Sequence, residues 1–284
     1  MGRVRIVADS TCDLTQDLIR KYDITIIPLN IVLDTKSYMD GLEITPDEIY
    51  EWADKYNTTP KTAAPEPGYV MDRLRPMTEA GEDIIFIGIS EDMSVTCQTV
   101  RVAGEELGYP NIWVINSQNL STGIGLQVLR AAEYAAAGMD AEAIVEKIEA
   151  ARNKVNASFV IDTLTYLHRG GRCSSVAALL GNALKLKPMI SVKNGKMGVA
   201  KKYRGRQQSV VRSYADDLKQ QLLQADPARV FITHSGIDPG IEQETCEFLR
   251  SLNYFKDIYI TRAGGVISSH CGPNTLGILY YSRQ

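Results

Sequence analysis

The chain has 284 residues, enough for roughly two domains that each bury a core of their own. Hydrophobic residues make up 44% and charged residues 23%, the balance of an ordinary globular fold in water. A net charge of -3 excludes the basic excess that nucleic acid or an anionic membrane surface would demand, so no nucleic acid is expected.

The first half alternates strand and helix. A short apolar run over 4–8 leads into Asp9-Ser10-Thr11, Asp13 is placed to cap a helix over 14–22, and the β-branched stretch 24–33 reads as one strand. Thr45-Pro46 opens a helix with Glu48 in its first turn. Strands over 83–89 and 111–115 flank a helix over about 95–107, and helices follow over about 122–137 and 140–155. This alternation predicts a mainly parallel sheet covered on both faces, with ligands beyond the carboxyl ends of its strands. Polar segments fall where such ends are expected: Asp9-Ser10-Thr11, Ser90 with Ser94 and Thr96, and Asn116-Ser117. A loop carrying Lys61-Thr62-Ala63-Ala64-Pro65 is expected on the same rim.

The pattern changes after about Val155, which divides the chain into an N-terminal mainly parallel α/β domain, 1–156, and a C-terminal α/β domain, 157–284. A strand over 158–163 delivers the chain to Gly170-Gly171-Arg172. Ser174 or Ser175 then caps a helix whose apolar positions Val176, Leu179, Leu180, Ala183 and Leu184 keep one-face spacing. Two glycines, Arg169, Arg172 and a helix N-terminus would together attract a phosphate or carboxylate. Strands over 189–192 and 197–200 flank Asn194-Gly195, a tight-hairpin signal, so this domain's sheet is mixed or antiparallel. The basic segment 201–206 and an amphipathic helix to about 223 precede a strand over 229–234, a helix over 241–252 and a strand over 257–261. A glycine-flanked loop over 264–273 leads to a last strand over 276–281.

The usual catalytic signatures are missing: there is no His-Glu-x-x-His, no Walker loop and no Gly-x-Ser-x-Gly. A triad of Ser94, His270 and Asp9 stays open to geometry, although no motif marks Ser94 as an exposed nucleophile. His168 and His234 read as structural, and His270-Cys271 lacks further ligands at metal spacing. The five cysteines are scattered and odd in number, which suits a reducing cytoplasm rather than a disulfide framework. No apolar run is long enough for a transmembrane segment.

Several separated motifs share one order with a known family. They are Ile6-Val7-Ala8-Asp9-Ser10-Thr11-Cys12-Asp13-Leu14, Asp40-Gly41, Lys61-Thr62 with Pro65, Asp162-Thr163-Leu164, Gly170-Gly171-Arg172, Lys187-Pro188, Arg204-Gly205-Arg206, and Val266-Ile267 with His270 and Gly272-Pro273. In this set the chain resembles the DegV family of fatty-acid-binding proteins from end to end. The resemblance implies a carrier without catalysis of its own, holding a long-chain fatty acid in a tunnel between the domains. Thr62 and Ser94 would hydrogen-bond the carboxylate with His270 close by, and Val95, Thr96 and Ser117 would be lipid-binding with them. A separate fatty acid kinase would phosphorylate the carboxylate, with Arg172, Arg204 and Arg206 facing the phosphate or that partner, and a transient membrane contact stays open. No metal and no cofactor is implied beyond the fatty acid itself. Two other readings remain: a small-molecule acyl-transfer enzyme using Ser94 and His270, and a phosphometabolite-binding protein built on Gly170-Gly171-Arg172.

Departures from the family gather at the head-group end. Ala63, Ala64 and Glu66 replace Ser, Gln and Ser, Val95 replaces glycine, Ser268-Ser269 replaces Gly-Ala, and Asn116 replaces Asp. Valine resists a positive φ and adds bulk, which predicts a narrower mouth or a different preferred acyl chain.

Overall fold

The computed structural model describes residues 2–182 and 186–283. The chain opens with β1 (Val4–Asp9), a 3-10 turn, α1 (Gln16–Lys21) and β2 (Thr25–Ile27). Thr15, rather than the expected Asp13, caps α1 by accepting from the Leu18 amide, and Asp13 stands before it in the left-handed region at φ 50°. The stretch read as one strand over 24–33 divides at Pro28, which has no N–H to give a ladder. Beyond it β3 (Asn30–Leu33) joins a different sheet, pairing antiparallel with β4 (Lys36–Met39) and, after α2 (Pro46–Tyr56), with β5 (Lys61–Ala63). The Lys61 segment expected as a loop is therefore a strand. A reciprocal pair of hydrogen bonds between Thr45 and Glu48 starts α2.

Next come α3 (Pro67–Glu79), β6 (Asp83–Gly88), α4 (Thr96–Leu107), β7 (Ile112–Asn116), α5 (Thr122–Ala136) and α6 (Ala141–Ala151). Strands β2-β1-β6-β7 form a parallel sheet in that order. Its central strands are apolar on both faces because helices cover both. One face packs under α3 and α4 through Val70, Leu74 and Val100. Against the other lies α5, whose first eight residues are all buried, the signature of a helix with no solvent side.

A second, six-stranded sheet lies beyond α5. It is built from β8 (Val155–Val160), β9 (Leu186–Lys193), β10 (Lys196–Arg204), β11 (Ala225–His234), β12 (Asp257–Arg262) and β13 (Leu276–Ser282), in the order β10-β9-β8-β13-β11-β12. Only β11 and β12 run parallel, so the sheet is mixed. The hairpin signal holds: Asn194 at φ 49° and Gly195 at φ 80° join β9 to β10. Helices α7 (Thr165–Gly170), α8 (Gln207–Leu222), α9 (Pro239–Ser251) and α10 (Gly265–Cys271) complete the fold. Facing side chains of the two sheets and α5 make one core, in which Ile85, Ile87 and Ile124 meet Phe159, Phe231 and Leu279. The architecture is α/β with two principal sheets.

Two further expectations fail. Residues 174–182 form a 3-10 stretch instead of a capped helix, and the Ser175 hydroxyl accepts from the Val199 amide of β10; Ala183 and Leu184 lie outside the described residues. The segment 264–273 is not a loop. Its glycines punctuate α10, Gly264 at the start and Gly272 at φ 72° at the stop, while Val266, Ser268, Ser269 and Cys271 are buried between them.

Candidate functional site

Between the two sheets lies a cavity of about 490 Å³. Leu29, Ile89 and Leu120 line it from the first half of the chain, and Phe159, Ile267 and Leu279 from the second. Five residues singled out in the sequence reach this wall: Thr62 on β5, Ser94 and Val95 before α4, Arg172 after α7, and His270 on α10. Thr96 and Ser117 do not belong to it. Both are fully buried, Thr96 backing Ser94 with an Oγ–Oγ distance of 2.8 Å and Ser117 accepting from the Asn119 amide at 3.1 Å. Arg204 and Arg206 are exposed and stand outside the wall. Of the four polar segments expected on one rim, only those of Thr62 and Ser94 contribute, since Asp9 and Thr11 turn inward on each other.

Most polar side chains of the wall are already engaged within the protein. Thr233 pairs with Thr122 and Thr261 at 2.6 and 2.9 Å. Ser235 donates to the Gly272 carbonyl, Thr275 to the Cys271 carbonyl, and Ser121 to the Asp13 carboxyl. His234, read as merely structural, also reaches the wall, with Nδ1 accepting from the Gly236 amide and Nε2 3.0 Å from Glu242. Such residues show a ligand chiefly their carbon atoms.

Capacity remains at one end. His270 Nε2 lies 2.9 Å from Thr62 Oγ1, while Nδ1 is sealed from solvent with no partner among the described residues. Burial, helped by the nearby Arg172 charge, pushes the imidazole down to about 4, so it is neutral at physiological pH. With its proton on Nε2 it donates to Thr62 and leaves the Thr62 hydroxyl free to donate onward. Ser94 Oγ accepts from the Thr96 amide at 3.3 Å, and when the Thr96 hydroxyl also donates to it, Ser94 can donate into the cavity. Arg172 is held by the carbonyls of Gly170 at 2.8 Å and Met93 at 3.4 Å. Gly170 is glycine for a reason of space: a Cβ there would stand 2.3 Å from His270 Nδ1.

The alternative chemistries lose their geometry. Asp9 accepts from Thr11 and from the Ile89 amide, and His270 turns to Thr62, so no hydrogen bond links a Ser94–His270–Asp9 triad among the described residues. The anion site expected at Gly170-Gly171-Arg172 lacks its helix N-terminus, and Arg169 departs to the Asn57 carbonyl. Val95 adopts φ -84°, so valine there carries no backbone strain; it is 66% exposed at the cavity rim. Glu66 is exposed beside α3. Among the described residues no helix is long and apolar enough to cross a membrane, and no cluster of three or more His, Cys, Asp or Glu could hold a metal.

The site is therefore a mostly apolar chamber between the two sheets, with its free hydrogen-bonding groups gathered at one end. The family model described as "Uncharacterised protein, DegV family" matches residues 3–283, and the chain belongs to that family. A DegV domain-containing protein of Clostridium perfringens is 37% identical over 210 residues, covering 74% of this chain and 75% of its own. A DegV family protein of Thermus thermophilus, described as fatty acid binding, superposes with a TM-score of 0.91 at 30% identity, covering 99% of both chains. A stearic-acid-binding protein of Eubacterium ventriosum superposes with a TM-score of 0.84 at 27% identity, covering 100% of this chain and 99% of its own.

Proposed function

We propose that this protein is a cytoplasmic fatty-acid carrier with domains 1–156 and 157–284 closing around the acyl chain. The supporting observation is the asymmetry of the cavity wall: carbon-lined along most of its length, with available hydroxyls at Thr62 and Ser94, and His270 and Arg172 beside them. Binding by solved relatives such as the Eubacterium ventriosum protein agrees with it. At about 0.8 kcal/mol per buried methylene, a tail of roughly fourteen contributes on the order of 11 kcal/mol before association costs. Affinity then resides in the tail. The head group is fixed by neutral donors, which suit a carboxylate before and after it is phosphorylated. Arg172 stands beside the head group, and Arg204 and Arg206 present charge outside, where a separate kinase would dock. Thr96 and Ser117 support the site from behind rather than touch the ligand.

Mass spectrometry of organic extracts from the purified protein should find one fatty acid per chain. Ser94→Ala combined with Thr62→Val should lower that occupancy several-fold, by the loss of two hydrogen bonds. An empty wild-type protein that also fails to take up added stearate would overturn the proposal.

A further inference from the structure

Helix α10, which carries His270, begins on two carboxyls supplied by the other half of the chain. Asp13 accepts from the Gly264 amide at 2.8 Å and Asp40 from the Gly265 amide at 2.7 Å. Ser121 donates to Asp13 at 2.5 Å and Ser10 to Asp40 at 2.8 Å, so each carboxyl is itself held. Both aspartates are buried, and neither has a cationic partner among the described residues. Such groups are costly to bury, so an apolar pair would serve stability better. The glycines fit the grip closely. A Cβ on Gly264 would lie 3.2 Å from Asp13 Oδ1 and 3.3 Å from Asp40 Oδ2, and one on Gly265 would lie 2.4 Å from Ile31 and 2.9 Å from Asp40 Oδ1.

We propose that Asp13 and Asp40 are positioning residues, a carboxyl clamp that sets the axial position and rotation of α10 and so holds the His270 ring against Thr62. Each successive helical residue turns by about 100°, so a slip of one residue at Gly264 would swing the imidazole off the cavity wall. Two grips on adjacent amides resist both rotation and sliding, which a single hydrogen bond would not. Because the amides belong to the second half of the chain and the carboxyls to the first, the clamp also fixes the two polar sides of the cavity relative to each other. In its bearing on lipid binding this inference rests on the carrier reading above.

The test compares Asp13→Ala and Asp40→Ala with Asp13→Asn and Asp40→Asn, which keep an acceptor oxygen for the amide. It reads stearate affinity by calorimetry on delipidated protein, and the His270 ring resonances by NMR. The alanine variants should bind stearate about tenfold more weakly, the worth of one good hydrogen bond, with shifted His270 resonances, and the asparagine variants should restore both. Ser10→Ala and Ser121→Ala, gentler changes that loosen each carboxyl, should shift the same resonances in the same direction, and they decide the matter if the alanine variants do not fold. Folded alanine variants with wild-type affinity and unshifted His270 resonances would overturn the clamp. Should the wild type bind no stearate, the carrier reading fails, while the resonances still decide whether the clamp orients the ring.

Discussion

Acidification tests the state of His270 directly. The folded ring takes up a proton only near 4, because Nδ1 is sealed away and Arg172 adds a like charge, whereas the unfolded chain does so near 6.5. Between those values the unfolded state holds a proton that the folded state lacks. The stabilisation is therefore complete above pH 6.5, drains away as pH falls through that value, and stops falling near pH 4. At about 1.4 kcal/mol per pH unit, the descent from pH 6.5 to about pH 5 removes about 2 kcal/mol through this residue alone. Urea unfolding of wild type and His270→Gln at about pH 7.5 and about pH 5 measures it, since glutamine fills the site without titrating. The wild type should lose about 2 kcal/mol more than the variant over that interval. Equal losses would mean that the folded ring titrates normally, and the neutral donor assigned to Thr62 would have to be given up.

Gly170→Ala sets a methyl group 2.3 Å from His270 Nδ1 and 3.1 Å from Cε1, so the ring must leave Thr62; a loss of about 1–3 kcal/mol and faster release of lipid should follow, and unchanged melting with unchanged retention would refute the packing argument. Asp13 works in the opposite sense. Burial pushes its carboxyl up to about 8 from 3.8, so its contribution is complete below 3.8 and is lost as pH rises through about 8. Stability should therefore decline as pH rises from about 4 to about 8 and level off above that, and Asp13→Asn should flatten the decline; an identical slope in both proteins would show that Asp13 is ionised in the fold.

Much of the first half was legible because its elements obey simple periods. Buried parallel strands such as Asp83–Gly88 are continuous apolar runs, and amphipathic helices such as Thr96–Leu107 repeat at 3.6 residues. The errors share a cause, which is that short elements are decided by distant partners. Pro28 sends Asn30–Leu33 to a separate sheet, where it meets Lys61–Ala63, a strand too short to show any period. Glycines at 264 and 272 look like loop punctuation until Asp13 is seen to hold Gly264 and Asp40 its neighbour Gly265. At the site, Thr62 and His270 could be named from their motifs. Their contact joins residues 208 apart, and the bond between Asp13 and Gly264 spans 251, distances over which local pattern carries no information.

The position of β13 bears on how such a protein is made. It is the last strand in order yet pairs with β8 on one side and β11 on the other, in the middle of the six-stranded sheet. During synthesis those neighbours emerge with their inner edges bare, and nothing earlier in the chain can stand between them. Until Leu276–Ser282 clears the ribosome, the chamber lacks Gly277 and Leu279 from its floor. A nascent chain stalled before that point would expose two unpaired edges and leave the chamber open on one side, which makes this strand the keystone of the sheet.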